Sequence, residues 1–252
     1  MQIDKADLDQ LAKSLTGALE QAEPDHDSPD VSSFVVKFVL HYIRGEAVTM
    51  LPLVRLHNIR DCIFTAVDEG IPGDVIETGV WRGGGCIYMR ACLDALGAQD
   101  RTVWLADSFE GLPDPDPNRQ KESEFHHSKM MQGHYAKLAA SYDEVVGNFE
   151  RYGAMGDNVR FLVGWFKDTL PTAPIEKLAV MRLDGDYYES TMDGLTALYP
   201  KLSPGGFVII DDYGEDLWTD CRQAVDEYRA ANNIDAPMTA VDSKCVFWRK
   251  PL

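Results

Sequence analysis

Two short apolar runs that each end in aspartates constrain this chain more than any other feature of its sequence. Residues 179–183 are apolar apart from one arginine, and Asp184 and Asp186 follow them, separated by a glycine. Further along the chain, residues 207–210 are apolar and two consecutive aspartates follow directly. Such runs are typical of strands buried on both faces of a parallel sheet. The carboxyl ends of these strands form the edge where open α/β sheets bind ligands.

The carboxylates at these two strand ends predict a divalent metal site. If the two strands are neighbours, their ends lie about 5 Å apart, and Asp184, Asp211 and Asp212 crowd together. Negative charges that close need a counter-ion, and Mg²⁺ or a related hard cation suits carboxylate oxygens. We therefore predict that these three aspartates are metal ligands and that Asp186 is the general base. The alternative for Asp186 alone is that it caps the helix predicted to begin near residue 189.

Composition indicates a soluble globular chain with one domain core. Its 252 residues suffice for one large α/β domain, and 45% of them are hydrophobic. The net charge of −17 and the pI near 4.6 argue against nucleic acid as a partner, because phosphate binding needs a basic face. No signal peptide and no membrane-spanning stretch is visible, so we expect a cytoplasmic protein without a membrane partner. Free, buried thiols are expected for Cys62, Cys86, Cys92, Cys221 and Cys245, which lack zinc-ligand spacing.

Alternating strand and helix patterns predict a doubly wound, mostly parallel sheet. The predicted strands are residues 74–79, 102–107, 159–164, 179–183 and 207–210, with a turn at 203–206 and a closing strand pair at 238–241 and 245–248. The predicted helices are residues 1–22, 34–43, 48–69 with an interruption at Pro52, a helix from the glycine turn at 80–85 through about 96, and then 142–152, 189–198 and 217–231. Residues 24–29 are predicted to be a linker or cap.

We divide the chain into an N-terminal helical segment, residues 1–72, and a cofactor-binding domain, residues 73–252. The apolar helix at 34–43 is expected to be buried in the domain, under a lid, or in a contact between copies in a homodimer or larger homo-oligomer. Residues 109–140 form a polar insertion that is too long for a simple connection, so we expect a lid or a disordered loop.

A glycine-rich turn after the first predicted strand indicates a nucleoside-type ligand. Gly79 permits a tight turn and close approach of a ligand, and the next helix begins with free backbone amides. Asp107 ends the following strand, where an acid can bind both hydroxyls of a ribose. The spacing differs from that of NAD proteins, and Glu77 before the first glycine suits a ligand with a positive end. The alternative is a glycine turn that is needed only for packing.

Two further groups of side chains have open interpretations. Trp165 and Phe166 follow the third strand, where they could pack on an adenine ring or could equally be core aromatics. Three histidines in the insertion could bind a metal, but solvated side chains are the favoured interpretation: His126, His127 and His134.

Taken together, these motifs resemble the macrocin O-methyltransferase family, which methylates sugar hydroxyls on macrolide and related antibiotics. The resemblance covers roughly residues 50–250 and depends on five motifs, which begin at Gly73, Asp107, Gly164, Leu183 and Ser203. It implies a class I methyltransferase with a Rossmann-like, seven-stranded sheet that uses S-adenosylmethionine and Mg²⁺ on a glycosylated small molecule. It also implies that Asp184, Asp211 and Asp212 hold the metal and that Asp186 is the base.

These motifs, together with the segment 156–166 around the third predicted strand, supply the residues expected to contact the methyl donor. These candidates are Glu77, Thr78, Gly79, Arg82, Gly83, Gly84, Asp107, Ser108, Phe109, Asp157, Gly164, Trp165, Phe166 and Asp184. Residues 1–48 and 112–140 match the family pattern poorly, and in this family such regions shape the acceptor pocket.

Three other functions use parts of this pattern. A nicotinamide-dependent oxidoreductase needs the ribose acid but has no use for four converging carboxylates. A non-catalytic nucleoside-binding protein has no reason to keep side chains that repel one another. A metal-dependent methyltransferase of catechol-like aromatics shares the sheet and the metal, and differs only in its acceptor.

Overall fold

The computed structural model describes residues 3–17, 47–119, 123–124, 126–127, 139–214 and 219–252. Its helices are α1 (Leu8–Thr16), α2 (Leu53–Asp68), α3 (Gly84–Ala95), α4 (Tyr142–Arg151), α5 (Phe166–Thr169), α6 (Tyr188–Leu198) and α7 (Thr219–Ala231), with a 3₁₀ turn at Tyr199–Lys201. Its strands are β1 (Asp74–Thr78), β2 (Val103–Asp107), β3 (Val159–Val163), β4 (Leu178–Leu183), β5 (Leu202–Ile210), β6 (Thr239–Ala240) and β7 (Val246–Arg249).

These strands form one seven-stranded sheet in the order β3-β2-β1-β4-β5-β7-β6. The first five pair in parallel, and β7 runs antiparallel to both β5 and β6. The chain moves outward from β1 to β3 and returns to β4 on the other side of β1, which creates a switch point between β1 and β4. A crevice at such a point, outside the carboxyl ends of the strands, is where this class of sheet binds ligands. The predicted doubly wound sheet and the closing strand pair are confirmed.

The two strands that end in aspartates are hydrogen-bonded neighbours, as predicted. Leu183, the last residue of β4, is paired with Ile210, the last residue of β5, so the two strands end at the same level of the sheet. All six residues of β4 are buried. Val180 packs into the core on one face of the sheet and Met181 into the core on the other. A strand that is apolar at successive positions is therefore explained by burial on both faces.

Helices cover both faces of the sheet. Helices α1 to α4 contribute to one core and helices α6 and α7 to the other. Leu8 and Leu15 of α1 are fully buried in the same core as Val75 of β1, and α1 packs against helices α2 and α3. Among the described helices, none is long and apolar enough to cross a bilayer.

Several predicted boundaries differ from the structure. Helix α1 ends at Thr16 instead of residue 22, because Gly17 adopts a left-handed conformation (φ 73°) and its N–H bonds back to Ser14. The turn predicted at 203–206 lies inside β5, where the pairing with β4 is irregular and Gly205 has φ 79°.

Two predicted elements, at 24–29 and 34–43, lie outside the described residues, as does part of the insertion at 109–140. The division of the chain at residue 72 stays a prediction.

Candidate functional site

A cavity of about 670 Å³ lies at the carboxyl ends of β1, β2, β3 and β4. Its lining comes from the loops that follow these strands, from the beginnings of α5 and α6, and from Met50, which precedes α2. The lining residues are Met50, Gly79, Trp81, Asp107, Ser108, Gly111 to Pro117, Ala140, Trp165, Phe166, Lys167, Asp184 to Tyr187, Glu189, Ser190 and Asp193. A cavity of this size is within the range of sites for small molecules and cofactors.

Gly79 forms the floor of the cavity between β1 and β4. Its φ is 78°, and a Cβ added there would lie 1.9 Å from the carbonyl oxygen of Asp184. Only glycine fits both the conformation and the space. The glycine therefore lets the ends of the two central strands approach each other at the switch point.

Asp107 joins the loops that follow β1 and β2. Its Oδ2 accepts the N–H of Val80 at 2.7 Å, and its Oδ1 accepts the N–H of Phe109 at 2.8 Å. Burial raises the pKa of Asp107, and the hydrogen bonds from backbone amides oppose that rise. Asp107 lines the cavity, as expected for a residue that binds a ribose, and it also fixes the shape of both loops.

Arg82, Gly83 and Gly84 of the glycine turn pack against the protein and, unlike Trp81, do not line the cavity. The N–H of Gly84 donates to the Val48 carbonyl at 2.9 Å, and a Cβ on Gly84 would lie 2.6 Å from that oxygen. Gly83 has φ 86° and contacts Val145 of α4. Arg82 donates to the Ala47 carbonyl and pairs with a glutamate of α4. The prediction that free amides of this turn face a ligand does not hold for Gly84, and packing explains these positions.

Glu77 is buried beneath the turn. Its Oε1 lies 2.7 Å from Nη1 of Arg182, and its Oε2 accepts the Cys86 thiol at 2.9 Å. Burial raises the pKa of Glu77, and Arg182 opposes that rise. Glu77 and Thr78 are both buried in β1 and do not line the cavity. Any influence of Glu77 on a cofactor would pass through the turn above it.

The remaining cofactor candidates separate into two groups. Ser108, Trp165 and Phe166 line the cavity beside Asp107. Phe109 does not, since its ring packs 5.6 Å from Tyr142. Gly164 precedes Trp165 with φ 133°, and its N–H donates to the Asp107 carbonyl.

Asp157 is the one candidate that the structure places at the amino ends of the strands, on the opposite side of the sheet from the cavity. It is exposed and precedes β3, so it lies at the amino end of that strand. Its position is a correction to the sequence prediction, which counted Asp157 among the cofactor contacts.

Three of the four predicted acids come together at the ends of β4 and β5. One carboxylate oxygen from each of Asp184, Asp186 and Asp212 lies within 4.8 Å of the other two. The N–H of Asp186 points to Oδ2 of Asp212 at 3.3 Å, and Asp186 has a left-handed φ of 56°. Non-glycine residues held in that region are strained and concentrate at functional sites. Asp184 and Asp186 both line the cavity.

Asp211 pairs with two arginines and is not one of this group of three. Its Oδ2 lies 2.7 Å from Nη1 of Arg55, and its Oδ1 lies 2.5 Å from Nη2 of Arg182. The sequence prediction grouped Asp211 with Asp184 and Asp212 as ligands and left Asp186 as the base. The structure groups Asp186 with those two residues instead, because sequence spacing could not reveal the arginines.

The electrostatics of the four acids differ accordingly. Burial raises the pKa of Asp184 to about 7, with a further rise from Asp211 and an opposing effect of Arg182. Burial raises the pKa of Asp212 well above its usual range, and the negative charges of Asp186 and Asp184 add to that effect. Burial alone would also raise the pKa of Asp211, but Arg182 and Arg55 outweigh it and lower that pKa. A cation is therefore favoured between Asp184, Asp186 and Asp212.

Sequence reasoning missed three contacts at this site. Arg182 had a signal, because it is a charge inside an otherwise apolar strand. Arg55 had none, since its partner Asp211 lies far away along the chain. His126 was interpreted as solvated, but its Nδ1 lies 2.8 Å from the Tyr187 hydroxyl, and burial lowers its pKa. His127 is exposed, and His134 lies outside the described residues.

The sheet order, with its last strands antiparallel, and a cavity at the switch point between β1 and β4 define a class I methyltransferase. A solved structure described as the O-methyltransferase NovP superposes with a TM-score of 0.84 at 43% identity, and covers 98% of this chain and 99% of its own.

The chain belongs to the macrocin O-methyltransferase (TylF) family, whose model matches residues 43–250. It is 52% identical over 206 residues to the 8-demethyl-8-(2,3-dimethoxy-alpha-L-rhamnosyl)-tetracenomycin-C 4'-O-methyltransferase of Streptomyces olivaceus, covering 81% of this chain and 76% of that protein. It is 50% identical over 207 residues to the mycinamicin III 3''-O-methyltransferase of Micromonospora griseorubida, covering 81% of this chain and 79% of that protein. The protein is therefore an O-methyltransferase, which confirms the predicted family, fold and enzyme class and decides against an oxidoreductase.

Proposed function

We propose that this O-methyltransferase transfers the methyl group of S-adenosylmethionine to a sugar hydroxyl of a glycosylated natural product, with the help of Mg²⁺. One observation carries the proposal. Asp184 and Asp186 line the same cavity as Gly79 and Asp107, so an acidic site and a nucleoside-type site adjoin at one switch point. That arrangement suits a reaction in which a cofactor and an acceptor must meet.

The residues at the ends of β1, β2 and β3 fit S-adenosylmethionine. Asp107 accepts hydrogen bonds from Val80, Phe109 and further groups of the two loops, and it lines the cavity where an acid at the end of this strand can bind the hydroxyls of a ribose. Trp165 and Phe166 lie on the same side of the cavity and offer rings for an adenine. Gly79 allows close approach to the backbone at the point between β1 and β4.

The acids at the ends of β4 and β5 fit a hard divalent cation. Carboxylate oxygens are the ligands that Mg²⁺ prefers, and three of them converge here. We propose that Asp184 and Asp212, which belong to both the predicted group and the observed one, hold the cation. Asp211 remains a candidate third ligand, because a carboxylate can keep an arginine partner and still offer a lone pair.

We propose Asp186 as the residue that accepts the proton of the acceptor hydroxyl. It lines the cavity beside Asp184, and its strained backbone is fixed by the bond from its N–H to Asp212. Bound S-adenosylmethionine supplies an electrophilic methyl group, and bound Mg²⁺ supplies a charge that lowers the pKa of a nearby hydroxyl. The protein's main contribution is to place the hydroxyl in line with the methyl group, which can supply about 7 to 11 kcal/mol.

The names of the relatives support a glycoside as the acceptor. The Streptomyces olivaceus enzyme is named for the 4'-O-methylation of a rhamnosyl-tetracenomycin, and the Micromonospora griseorubida enzyme for the 3''-O-methylation of mycinamicin III. The cavity is also lined by Met50 and by residues 111–117, which lie beyond Asp107 and Ser108 in the loop after β2 and are available to contact an acceptor.

The test is a methylation assay with S-adenosylmethionine, MgCl₂ and three acceptors. Two are the acceptors for which the relatives are named, and the third is the catechol 3,4-dihydroxybenzoate. We expect the mass gain of one methyl group on a glycoside and loss of turnover in excess EDTA. Methylation of the catechol alone would show that the acceptor is an aromatic hydroxyl instead of a sugar hydroxyl. Full turnover in EDTA would overturn the role of the metal.

Two further expectations are kept as proposals. We propose that the enzyme acts in the cytoplasm and assembles as a homodimer or larger homo-oligomer. Light scattering after size exclusion measures the second property directly, and a monomer mass at assay concentrations would refute it.

A further inference from the structure

A pair of buried arginines lies behind the acids of the site. Arg182 is 1% exposed and contacts Glu77, Asp184 and Asp211, which belong to three adjacent strand ends. Arg55 is 7% exposed and contacts Asp211 from the other side. Asp211 is therefore clamped on both oxygens.

Arg55 belongs to a helix that is not part of the sheet. It lies in the first turn of α2, in the segment that precedes β1. Its Nη1 reaches Asp211 at 2.7 Å, while its Nε and Nη2 reach Asp242 at 2.6 and 3.2 Å. Asp242 in turn accepts the N–H groups of Lys244 and Cys245, at 2.8 and 2.7 Å. The guanidinium is thus fixed by a rigid partner on one side and presented to Asp211 on the other.

We propose that Arg55 is a positioning residue for the metal-binding acids, an inference that rests on the proposed function. Arg55 fixes the position of the Asp211 carboxylate, and Asp211 in turn positions its two neighbours, Asp184 and Asp212. The N–H of Asp211 donates to the Leu183 carbonyl at 3.0 Å, and Leu183 directly precedes Asp184. Asp212 directly follows Asp211 in the chain. A shift of Asp211 would therefore move both proposed ligands.

The planar guanidinium of Arg55, which donates to Asp211 and Asp242 at the same time, is the property on which the proposed positioning depends. A guanidinium can donate to two carboxylates at once in a fixed plane, whereas the ammonium of a lysine is a single point of charge. Replacement of Arg55 by lysine keeps the positive charge near the site but cannot hold both Asp211 and Asp242 in the same geometry. This replacement separates a positioning effect from a simple change of charge.

Arg60 offers a matched control on the same helix. It also pairs with two acids, Asp9 and Asp61, but its side chain is 27% exposed and those acids are on the surface. Arg60→Lys makes the same chemical change in α2 without touching the site.

The experiment measures Mn²⁺ affinity by electron paramagnetic resonance and S-adenosylhomocysteine affinity by calorimetry, in the wild-type protein, Arg55→Lys and Arg60→Lys. We expect Arg55→Lys to weaken Mn²⁺ binding about tenfold, as is usual when a group behind a ligand is lost. Its affinity for S-adenosylhomocysteine should stay within about twofold of the wild type, and Arg60→Lys should change neither constant. A purely structural role for Arg55 would instead lower both affinities together.

Asp242→Asn provides a second route if Arg55→Lys fails to fold. The amide oxygen of the asparagine can keep the bonds from Lys244 and Cys245, which both go to Oδ1, while the bond from Arg55 Nε to Oδ2 is lost. We therefore expect a smaller fall in Mn²⁺ affinity with unchanged cofactor affinity. Equal Mn²⁺ affinity in the wild type and in the folded variants would overturn the role of Arg55 while leaving the metal proposal intact. A wild-type protein that bound no Mn²⁺ would overturn the metal proposal itself and the Arg55 inference with it.

Discussion

The same edge of the sheet carries two sets of acids, and their partners differ. At the ends of β1 and β2, Glu77 and Asp107 have partners from the chain on every carboxylate oxygen, namely an arginine, a thiol and backbone amides. At the ends of β4 and β5, one carboxylate oxygen from each of Asp184, Asp186 and Asp212 lies within 4.8 Å of the other two, although Asp184 also pairs with Arg182.

The difference separates acids that stabilise the loops of the protein from acids whose arrangement suits a bound cation. An acid whose oxygens accept backbone N–H groups shapes a loop, and it needs no added ion to be stable. Acids that crowd together raise one another's pKa, and a divalent cation relieves that repulsion. We therefore expect changes on the β1–β2 side to affect the cofactor and changes on the β4–β5 side to affect the metal.

The largest expected effect comes from Asp184→Asn. Turnover should fall to background and Mn²⁺ binding should be lost, because the variant removes a charge from the centre of the acid group. Affinity for S-adenosylhomocysteine, measured by calorimetry, should be unchanged. Loss of both affinities together would erase the distinction between the two sides.

Asp186→Asn should lower kcat by about 10²- to 10⁴-fold, the range expected when a general base is removed. Mn²⁺ affinity should fall far less than in Asp184→Asn, since Asp186 is proposed to take the proton. Steady-state kinetics with saturating acceptor provides the measurement. An unchanged kcat would show that another group is the base.

Asp107→Asn tests the other side of the comparison. The amide can accept at only one position, so the variant loses one of the two bonds to Val80 and Phe109. We expect affinity for S-adenosylhomocysteine to fall about tenfold, which corresponds to about 1.4 kcal/mol, and the free energy of unfolding to fall by about 1 to 3 kcal/mol. Normal Mn²⁺ affinity is the expected control, and its loss would count against the division.

The smallest expected effect is a dependence of stability on pH. The pKa of Asp184 in the folded protein is raised to about 7, above about 3.9 in an unfolded chain. The folded state therefore binds this proton more tightly, and the contribution of Asp184 to stability grows as the pH falls from about 7 to about 4.

Thermal melts of the metal-free protein test whether its stability falls as the pH rises. The Tm of the wild type should fall relative to that of Asp184→Asn as the pH rises from about 5.5 to about 8. The expected fall is roughly 2 to 4 °C for each kcal/mol lost from the free energy of unfolding. Added Mg²⁺ should restore the wild type at the higher pH. A difference that stays constant across this range would contradict the raised pKa of Asp184.

The sequence predicted most of the sheet because the pattern of each strand is local. Residues 179–183 are apolar on both faces, and the structure buries them on both faces. The turn predicted at 203–206 was wrong for a related reason: Gly205 and Gly206 signal irregular backbone, but an irregular residue can also lie within a paired strand.

The site was harder to predict because its contacts connect distant parts of the chain. Gly83 and Gly84 have the sequence of a ligand turn, and only the structure shows that Val48 and Val145 require them to be small. The pairing of Arg55 with Asp211 follows no local pattern, so the sequence could not separate Asp211 from the other acids. Asp157 precedes the strand that the sequence predicts at 159–164, so its place at the amino end of β3 already followed from the sequence, and its assignment to the cofactor site was an error of interpretation.

The most direct test of the metal site is an anomalous difference map from crystals grown with MnCl₂ and S-adenosylhomocysteine. We predict one manganese ion per chain, about 2 Å from carboxylate oxygens of Asp184 and Asp212, with the nucleoside next to Asp107 in the adjoining part of the cavity. The same map shows whether Asp186 or Asp211 completes the ligand set. A map with no ion between Asp184 and Asp212, in crystals where the nucleoside is bound, would contradict the account.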